Sequence, residues 1–113
     1  MRRARVEPLG EFEQLLLLAL LRVGDDAYGA QLRREIAART ERDVAISSVY
    51  VALDRLETKG LVRTHVGEPT PERGGRRRKH VALLPAGRRA VAGAYRTFRG
   101  MVDGLEAELE KQR

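Results

Sequence analysis

Residues 47–62 of the chain read SSVYVALDRLETKGLV, and this stretch decides the fold. Its apolar side chains recur at helical spacing and fall on one face at about 100° per residue: Val49, Ala52, Leu53 and Leu56. Lys59 and Gly60 at its end are typical of a helix C-terminus, since glycine adopts the left-handed conformation that closes a helix. The stretch therefore predicts a helix from Ser47, as its N-cap, to Lys59, with one buried face.

The opposite face of this predicted helix carries the candidate binding residues. Small polar side chains lie near its start, one arginine follows, and a tyrosine is at the flank: Ser47, Ser48, Val51, Arg55 and Tyr50. A helix that enters the major groove of DNA presents its N-terminal residues to the base edges. Hydroxyl groups can hydrogen-bond there, and a valine can contact a thymine methyl group. An ordinary solvated helix face has the same composition, so the neighbouring segments must decide between the two.

Two further helices are predicted upstream of this stretch. The first runs from about Gly10 to Val23, and the second from about Ala27 to Arg39, with Asp26 as its N-cap. The first is apolar on nearly all sides, and such a helix must be covered nearly all round. Its own domain can cover one stripe, whereas a second stripe needs the last helix or another chain. That second stripe consists of Leu17, Leu18 and Leu21.

A basic β-hairpin is predicted immediately downstream. Residues 62–66 alternate apolar and polar with period two, and the segment GEPTPERGG at 67–75 is rich in turn residues. The return strand, 76–83, carries a basic run at its outer end: Arg76, Arg77, Arg78 and Lys79. A charged hairpin tip can follow a phosphate backbone or enter a minor groove. The alternative is an exposed loop whose charges prevent edge pairing.

The order of elements is helix, helix, helix, hairpin and long helix, which is typical of a winged helix-turn-helix. We therefore predict a mainly α fold with a small β-hairpin, followed by a C-terminal dimerisation helix. Residues 1–8 form a flexible arm, residues 9–84 the DNA-binding domain and residues 85–113 the dimerisation helix.

The C-terminal helix is predicted to run from Pro85 to about Gln112. Its apolar residues are spaced four and three apart, which is the heptad pattern of paired helices: Val91, Tyr95, Phe98, Val102, Leu105 and Leu109. Its arginines lie early and its acids late, against the helix macrodipole. Antiparallel association of two copies would place the basic half of one beside the acidic half of the other. Packing of this helix against its own domain is the alternative.

Three segments together resemble the PadR family of bacterial transcriptional regulators. They are YGAQLRREI at 28–36, SSVYVALDRLETKGLV at 47–62 and RGGRRRKHVALLPAGRR at 73–89. The single helix after the wing is similar to the compact branch of that family. The resemblance implies a homodimeric repressor that binds a pseudo-palindromic operator in double-stranded DNA and is released by a small-molecule effector. It also implies that Tyr28, Ser48 and Tyr50 contact DNA.

Composition is consistent with this reading and excludes several others. The chain has 113 residues, enough for one domain, and a net charge of +6, which favours a polyanionic partner. Cysteine is absent, which excludes disulfides, thiolate metal sites and a cysteine nucleophile. No catalytic triad, carboxylate pair or phosphate-binding glycine loop is recognisable, so we predict neither an enzyme nor a cofactor. His65 and His80 on facing strands could chelate a metal, but no pair of acidic ligands accompanies them.

Two other function classes remain as alternatives. A winged helix can act as a protein–protein interaction module without specific DNA binding. RNA binding is disfavoured because the hairpin lacks aromatic residues on which bases stack. We expect no membrane partner and a cytoplasmic location, since no apolar run approaches the roughly 20 residues that cross a bilayer and no signal peptide is recognisable.

Overall fold

The structure is a computed structural model and describes residues 8–67 and 79–112. The helices in these ranges are α1 Glu11–Val23, α2 Gly29–Thr40, α3 Ile46–Thr58, α4 Pro85–Val102 and α5 Glu106–Glu110. The strands are β1 Ala27–Tyr28, β2 Val62–Val66 and β3 Lys79–Leu83. This confirms the mainly α fold with a winged helix-turn-helix order of elements. The predicted arm lies outside the described residues except for Pro8.

The sheet has three antiparallel strands in the order β1-β3-β2. The strands β2 and β3 form the predicted hairpin, with Val62 opposite Leu83 at its base and Val66 opposite Lys79 at its outer end. Because the base of the hairpin follows α3 directly, the outer end is the part of the wing that extends away from the core.

The prediction for residues 26–28 is wrong. Asp26 was expected to cap the second helix, but its φ is +62° and the next two residues form β1, in which Tyr28 lies opposite His80. The helix begins only at Gly29, with Tyr28 as its N-cap residue. Strand pairing with β3 therefore determines where α2 begins.

Both ends of α3 lie close to the predicted positions. The helix begins at Ile46, one residue earlier than expected, with Ala45 rather than Ser47 at the N-cap. At the other end Gly60 has a φ of +76°, and the Leu61 N–H donates to the Leu56 carbonyl at 3.0 Å. The positive φ of Gly60 and this hydrogen bond close α3, and the chain then enters β2 directly.

The C-terminal helix is not continuous, in contrast to the prediction. It ends at Val102, and α5 follows after a turn in which Gly104 has a φ of +88°. Glycine is a poor helix former, and Gly100 and Gly104 lie within five residues of each other. The heptad spacing of the apolar residues continues across this point, but the helix does not.

The core lies between the first three helices and the sheet. Its largest fully buried side chains are Leu16, Leu17, Leu20, Leu32, Leu53, Leu56, Val49, Val62 and Val81. Leu17 and Val91 were predicted to lie at a dimer interface, but they are 0% and 4% exposed within a single chain. Both pack in the chain's own core, so neither is available to a second copy. Leu18 and Leu21 remain exposed.

A buried ion pair joins the beginning of α1 to the end of α3. Glu13 is only 6% exposed, and its Oε1 accepts a hydrogen bond from the Gly10 backbone N–H at 2.7 Å. The Lys59 Nζ donates to both carboxylate oxygens of Glu13, at 2.9 and 3.0 Å. One carboxylate therefore caps α1 and holds the C-terminus of α3 against it.

Glu13 should make the stability of the protein depend on pH. Burial alone would raise the pKa of Glu13, but the hydrogen bond from Gly10 and the ammonium group of Lys59 outweigh it and lower the pKa below its usual 4.5. A lowered pKa in the folded state contributes stability that is present above about pH 4.5 and is lost as the pH falls through the folded value.

We expect Glu13→Gln to lower the free energy of unfolding by about 2 kcal/mol at neutral pH. This is less than for a fully buried pair, because Lys59 can still reach water. Urea denaturation near pH 7 and near pH 3 checks the assignment. The wild type should lose more stability than the variant between the two pH values, and equal losses would contradict the role given to Glu13.

Candidate nucleic-acid interface

The angle between α2 and α3 is held by contacts on both sides of the connecting link. The Arg33 Nε donates to the Val44 carbonyl at 2.6 Å, and its Nη2 lies 3.3 Å from Asp43 Oδ1. At the other side, a Cβ atom placed on Gly29 would lie 2.9 Å from the Tyr50 ring. Glycine at the first position of α2 therefore lets the two helices approach closely.

Tyr50 has a packing role that sequence reasoning did not identify. Its side chain is half-buried against the core as well as against Gly29. The pattern placed it at the flank of α3, which is correct, but a flank position does not show whether a ring lies inward or outward. Its contact with DNA stays a prediction.

The outward side of α3 carries four of the predicted binding residues, which we call the recognition face: Ser47, Ser48, Val51 and Arg55. All four are exposed, and Val51 is 52% exposed although it is apolar. Together with the first turn of α1 they line an open groove of about 510 Å³. Arg55 makes no direct ion pair with any residue that the structure describes, although its positive charge helps to lower the pKa of Glu13, which lines the same groove. Its exposed guanidinium group can therefore bind an external partner.

The hairpin is fixed to α3 at two points. Glu57 accepts hydrogen bonds from the Thr64 backbone N–H at 2.9 Å and from the Thr64 hydroxyl at 2.8 Å, and these bonds lower the pKa of Glu57. Nearer the outer end, Lys79 Nζ lies 3.6 Å from Asp54 Oδ1. A carboxylate on a DNA-binding helix is repelled by phosphates, and Lys79 lies beside the carboxylate of Asp54.

Only part of the predicted basic wing can be placed. Lys79 is partly exposed at the outer end of β3, opposite Val66. Arg76, Arg77 and Arg78 lie outside the described residues, in the segment that connects the two hairpin strands. Their contact with DNA stays a prediction.

An aromatic cluster lies where β1 meets the hairpin. The Tyr28 ring packs edge-on against His80 with centroids 6.3 Å apart, and His80 stacks on His65 at 5.4 Å. The His80 Nδ1 lies 2.8 Å from the Asp26 carbonyl oxygen, and the Arg34 Nη2 lies 3.5 Å from the Tyr28 hydroxyl. Within residues 8–67 and 79–112, no three potential ligands are grouped so that they could hold a metal ion.

Apolar side chains are exposed on α4 and again beyond the turn at Gly104. On α4 they are the predicted interface residues Tyr95 and Phe98, together with Met101, which is not part of the heptad pattern, and beyond the turn they are Leu105 and Leu109. Phe98 is 69% exposed. Contiguous exposed apolar patches of this kind mark interaction sites. Across the described ranges, no helix is long and apolar enough to cross a membrane.

Comparison with known proteins agrees with this geometry. The model of the transcriptional regulator PadR-like family matches residues 17–93. A PadR family transcription regulator from Clostridium difficile R20291 is 23% identical, with a TM-score of 0.71 over 88% of this chain and 99% of the other. A PadR family regulator from Eggerthella lenta is 24% identical, with a TM-score of 0.68 over 88% and 87%. The winged-helix DNA-binding protein F93 from STIV is 20% identical, with a TM-score of 0.66 over 85% and 96%.

A comparison with curated protein sequences gives no significant match. The family match nevertheless spans most of the chain, from the middle of α1 through the helix-turn-helix and the hairpin to α4. Members of the family are transcriptional regulators with a winged-helix DNA-binding fold, not enzymes. This chain belongs to the PadR-like family of transcriptional regulators.

Proposed function

We propose that the protein is a homodimeric repressor that binds a pseudo-palindromic operator in double-stranded DNA. The observation that carries the proposal is the exposed recognition face, in which Arg55 has no ion-pair partner among the described residues. An exposed arginine that makes no direct ion pair, next to small hydroxyl side chains, can bind a base edge or a phosphate.

In this proposal the N-terminal half of α3 enters the major groove. Ser47 and Ser48 are short enough to let the backbone approach the bases, and their hydroxyls can donate or accept hydrogen bonds. Val51 can contact a thymine methyl group, and Arg55 can reach a guanine edge or a phosphate. Contact with the phosphate backbone is the role expected for Tyr28 and Tyr50 in this proposal.

The wing supplies sequence-independent affinity. Lys79 and the three arginines at 76–78 carry four positive charges, and Lys79 lies beside α3 through its contact with Asp54. Arginine side chains at a hairpin tip can bind phosphates or enter a minor groove. The wing therefore strengthens binding, while the recognition face selects the sequence.

Dimerisation through the exposed surfaces of α1 and α4 would present two recognition faces at once. Helices about 34 Å apart reach successive major grooves on one side of the duplex. Binding of one half-site then raises the effective concentration of the other half. Leu18, Leu21, Tyr95, Phe98 and Val102 are the interface residues of this proposal.

Regulation follows from the same arrangement. Because α1 and α4 pack together within each chain, a ligand that changes their angle would change the spacing of the two recognition helices. We propose release by such an effector and action in the cytoplasm, both on the strength of the family resemblance.

The binding experiment uses the full chain and a duplex from the region upstream of its own gene. We expect far tighter binding to this duplex than to a random one, and Arg55→Ala should weaken it by about 10- to 100-fold, which is about 1–3 kcal/mol. The matched control is Arg88→Ala, which removes the same charge at the start of α4, at the end of the sheet opposite the wing tip.

Fluorescence anisotropy at a single salt concentration gives both affinities. The control should bind within about twofold of the wild type. Equal losses for both variants would contradict a specific role for Arg55. A wild type that does not distinguish the two duplexes would favour the protein–protein module instead.

A further inference from the structure

The C-terminal helix α5 is a short acidic segment with two exposed leucines. Leu105 precedes it and Leu109 lies within it, and both are half exposed. Four carboxylates accompany them along residues 103–110: Asp103, Glu106, Glu108 and Glu110. Every residue of α5 is exposed in the single chain. A five-residue helix is marginal by itself in water, so a surface that covers it would stabilise it.

The turn at Gly104 separates this segment from the apolar face of α4. The four-and-three spacing of Phe98, Val102, Leu105 and Leu109 would form one stripe only on a continuous helix. Since α4 ends at Val102 and the chain turns, the last two leucines do not continue that stripe. They need a different partner surface from the one that covers Phe98.

A matching groove lies between α1 and α2. Its volume is about 180 Å³. The floor consists of four apolar side chains: Leu15, Leu18, Ala19 and Ile36. The rim consists of four charged or polar side chains: Arg22, Glu35, Arg39 and Thr40. Arg39 is paired with Glu35 at 2.6 Å, whereas Arg22 makes no ion pair with any described residue. The rim therefore carries a positive charge that an acidic segment can complement.

We propose that α5 of one subunit binds in the α1–α2 groove of a second copy of the chain. Leu109 would contact Leu18 and the floor of the groove, and the α5 carboxylates would lie beside Arg22 and Arg39. Within one chain both α5 and Leu18 stay exposed, so the two surfaces do not cover each other. Two copies can cover both reciprocally, as an isologous interface requires.

This inference rests on the proposed dimer and makes it more specific. It places the C-terminal segment on the helix that precedes α3 in the helix-turn-helix. The position of α2 in one subunit would then depend on the C-terminus of the other. The carboxylates of α5 would lie at the interface between the two subunits, away from the DNA.

The absence of cysteine makes a cross-linking test possible. Leu18→Cys and Leu109→Cys are prepared as separate full-length variants, with a size tag on one of them, then mixed and oxidised mildly. A disulfide forms only when the Cα atoms approach within about 7 Å. We expect the mixed product on a non-reducing gel to exceed each self-linked product at least fivefold. The matched control is Leu21→Cys mixed with Leu109→Cys, because Leu18 and Leu21 are 44% and 41% exposed and Leu21 does not line the groove.

Light scattering on the same samples separates two claims: that the protein is a dimer, and that α5 binds in the α1–α2 groove. A dimer in which Leu21→Cys links as well as Leu18→Cys, or in which Leu109→Cys links mainly to itself, overturns the groove but leaves the proposed dimer. A monomer overturns both. Since all three substituted positions are exposed, circular dichroism should show unchanged folding in each variant.

Discussion

Replacing Phe98 with glutamate should convert the protein into a monomer and lower its affinity for the operator at least 100-fold. The side chain is 69% exposed on α4, where Tyr95 and Met101 are also exposed. A carboxylate there would have to lose its hydration when a second copy covers it. Without the dimer, each recognition face binds alone and loses the 10²- to 10⁴-fold gain that linkage provides.

Light scattering gives the oligomeric state, and fluorescence anisotropy gives the affinity. The control is Arg96→Glu, a larger change of charge on the opposite side of the same helix, which should remain dimeric. A Phe98→Glu protein that is still a dimer would show that α4 does not form the interface.

Replacing Arg76, Arg77 and Arg78 together with alanine should make DNA binding much less sensitive to salt. A dimer would lose six phosphate contacts, and each contributes about 0.9 to the slope of log affinity against log salt, so the slope should become shallower by up to about 5. The Glu57–Thr64 and Asp54–Lys79 contacts hold the hairpin strands against α3. The described outer end of the hairpin, at Lys79, therefore lies beside the helix that carries the recognition face.

Titrations between about 50 and 200 mM salt measure that slope. Thermal unfolding should be nearly unchanged, since the sequence predicts a solvated basic run there and surface substitutions alter stability by about 0.5 kcal/mol or less. The double variant Arg88→Ala and Arg89→Ala, at the start of α4, should retain the wild-type slope. An unchanged slope in the triple variant would show that the wing does not contact phosphates.

Periodicity in the sequence was sufficient to predict the parts of the fold with a regular pattern. The buried face of α3, its glycine end and the strand at Val62–Val66 each have a characteristic sequence pattern, and the structure contains all three. Burial does not alternate along the whole strand, because Val66 at its outer end is 58% exposed. The exposure of the recognition face follows from the same spacing, because the face opposite a buried stripe must point outward.

Features without a periodic signal could not be predicted in this way. The two residues of β1 are too few to alternate, so Tyr28 was assigned to a helix. In α1, which is apolar nearly all round, spacing alone could not decide that Leu17 lies inward and Leu18 outward. The pairing of Glu13 with Lys59 joins residues 46 positions apart, and only the fold brings them together.

The break at Gly104 has a different explanation. A glycine costs a helix only about 1 kcal/mol relative to alanine, so its presence does not by itself require a turn. The apolar spacing also continues through it to Leu109, which favoured a single helix. Local backbone preference prevails here because every residue of α5 is exposed, so no contact within the chain favours a continuous helix.

Hydroxyl-radical footprinting on DNA selected from the source genome tests the central claim most directly, namely that two recognition faces read one duplex together. We predict two protected patches about one helical turn apart on the same side of the DNA, centred on an inverted repeat. A single protected patch, or a set of bound fragments that share no symmetric sequence, would contradict it.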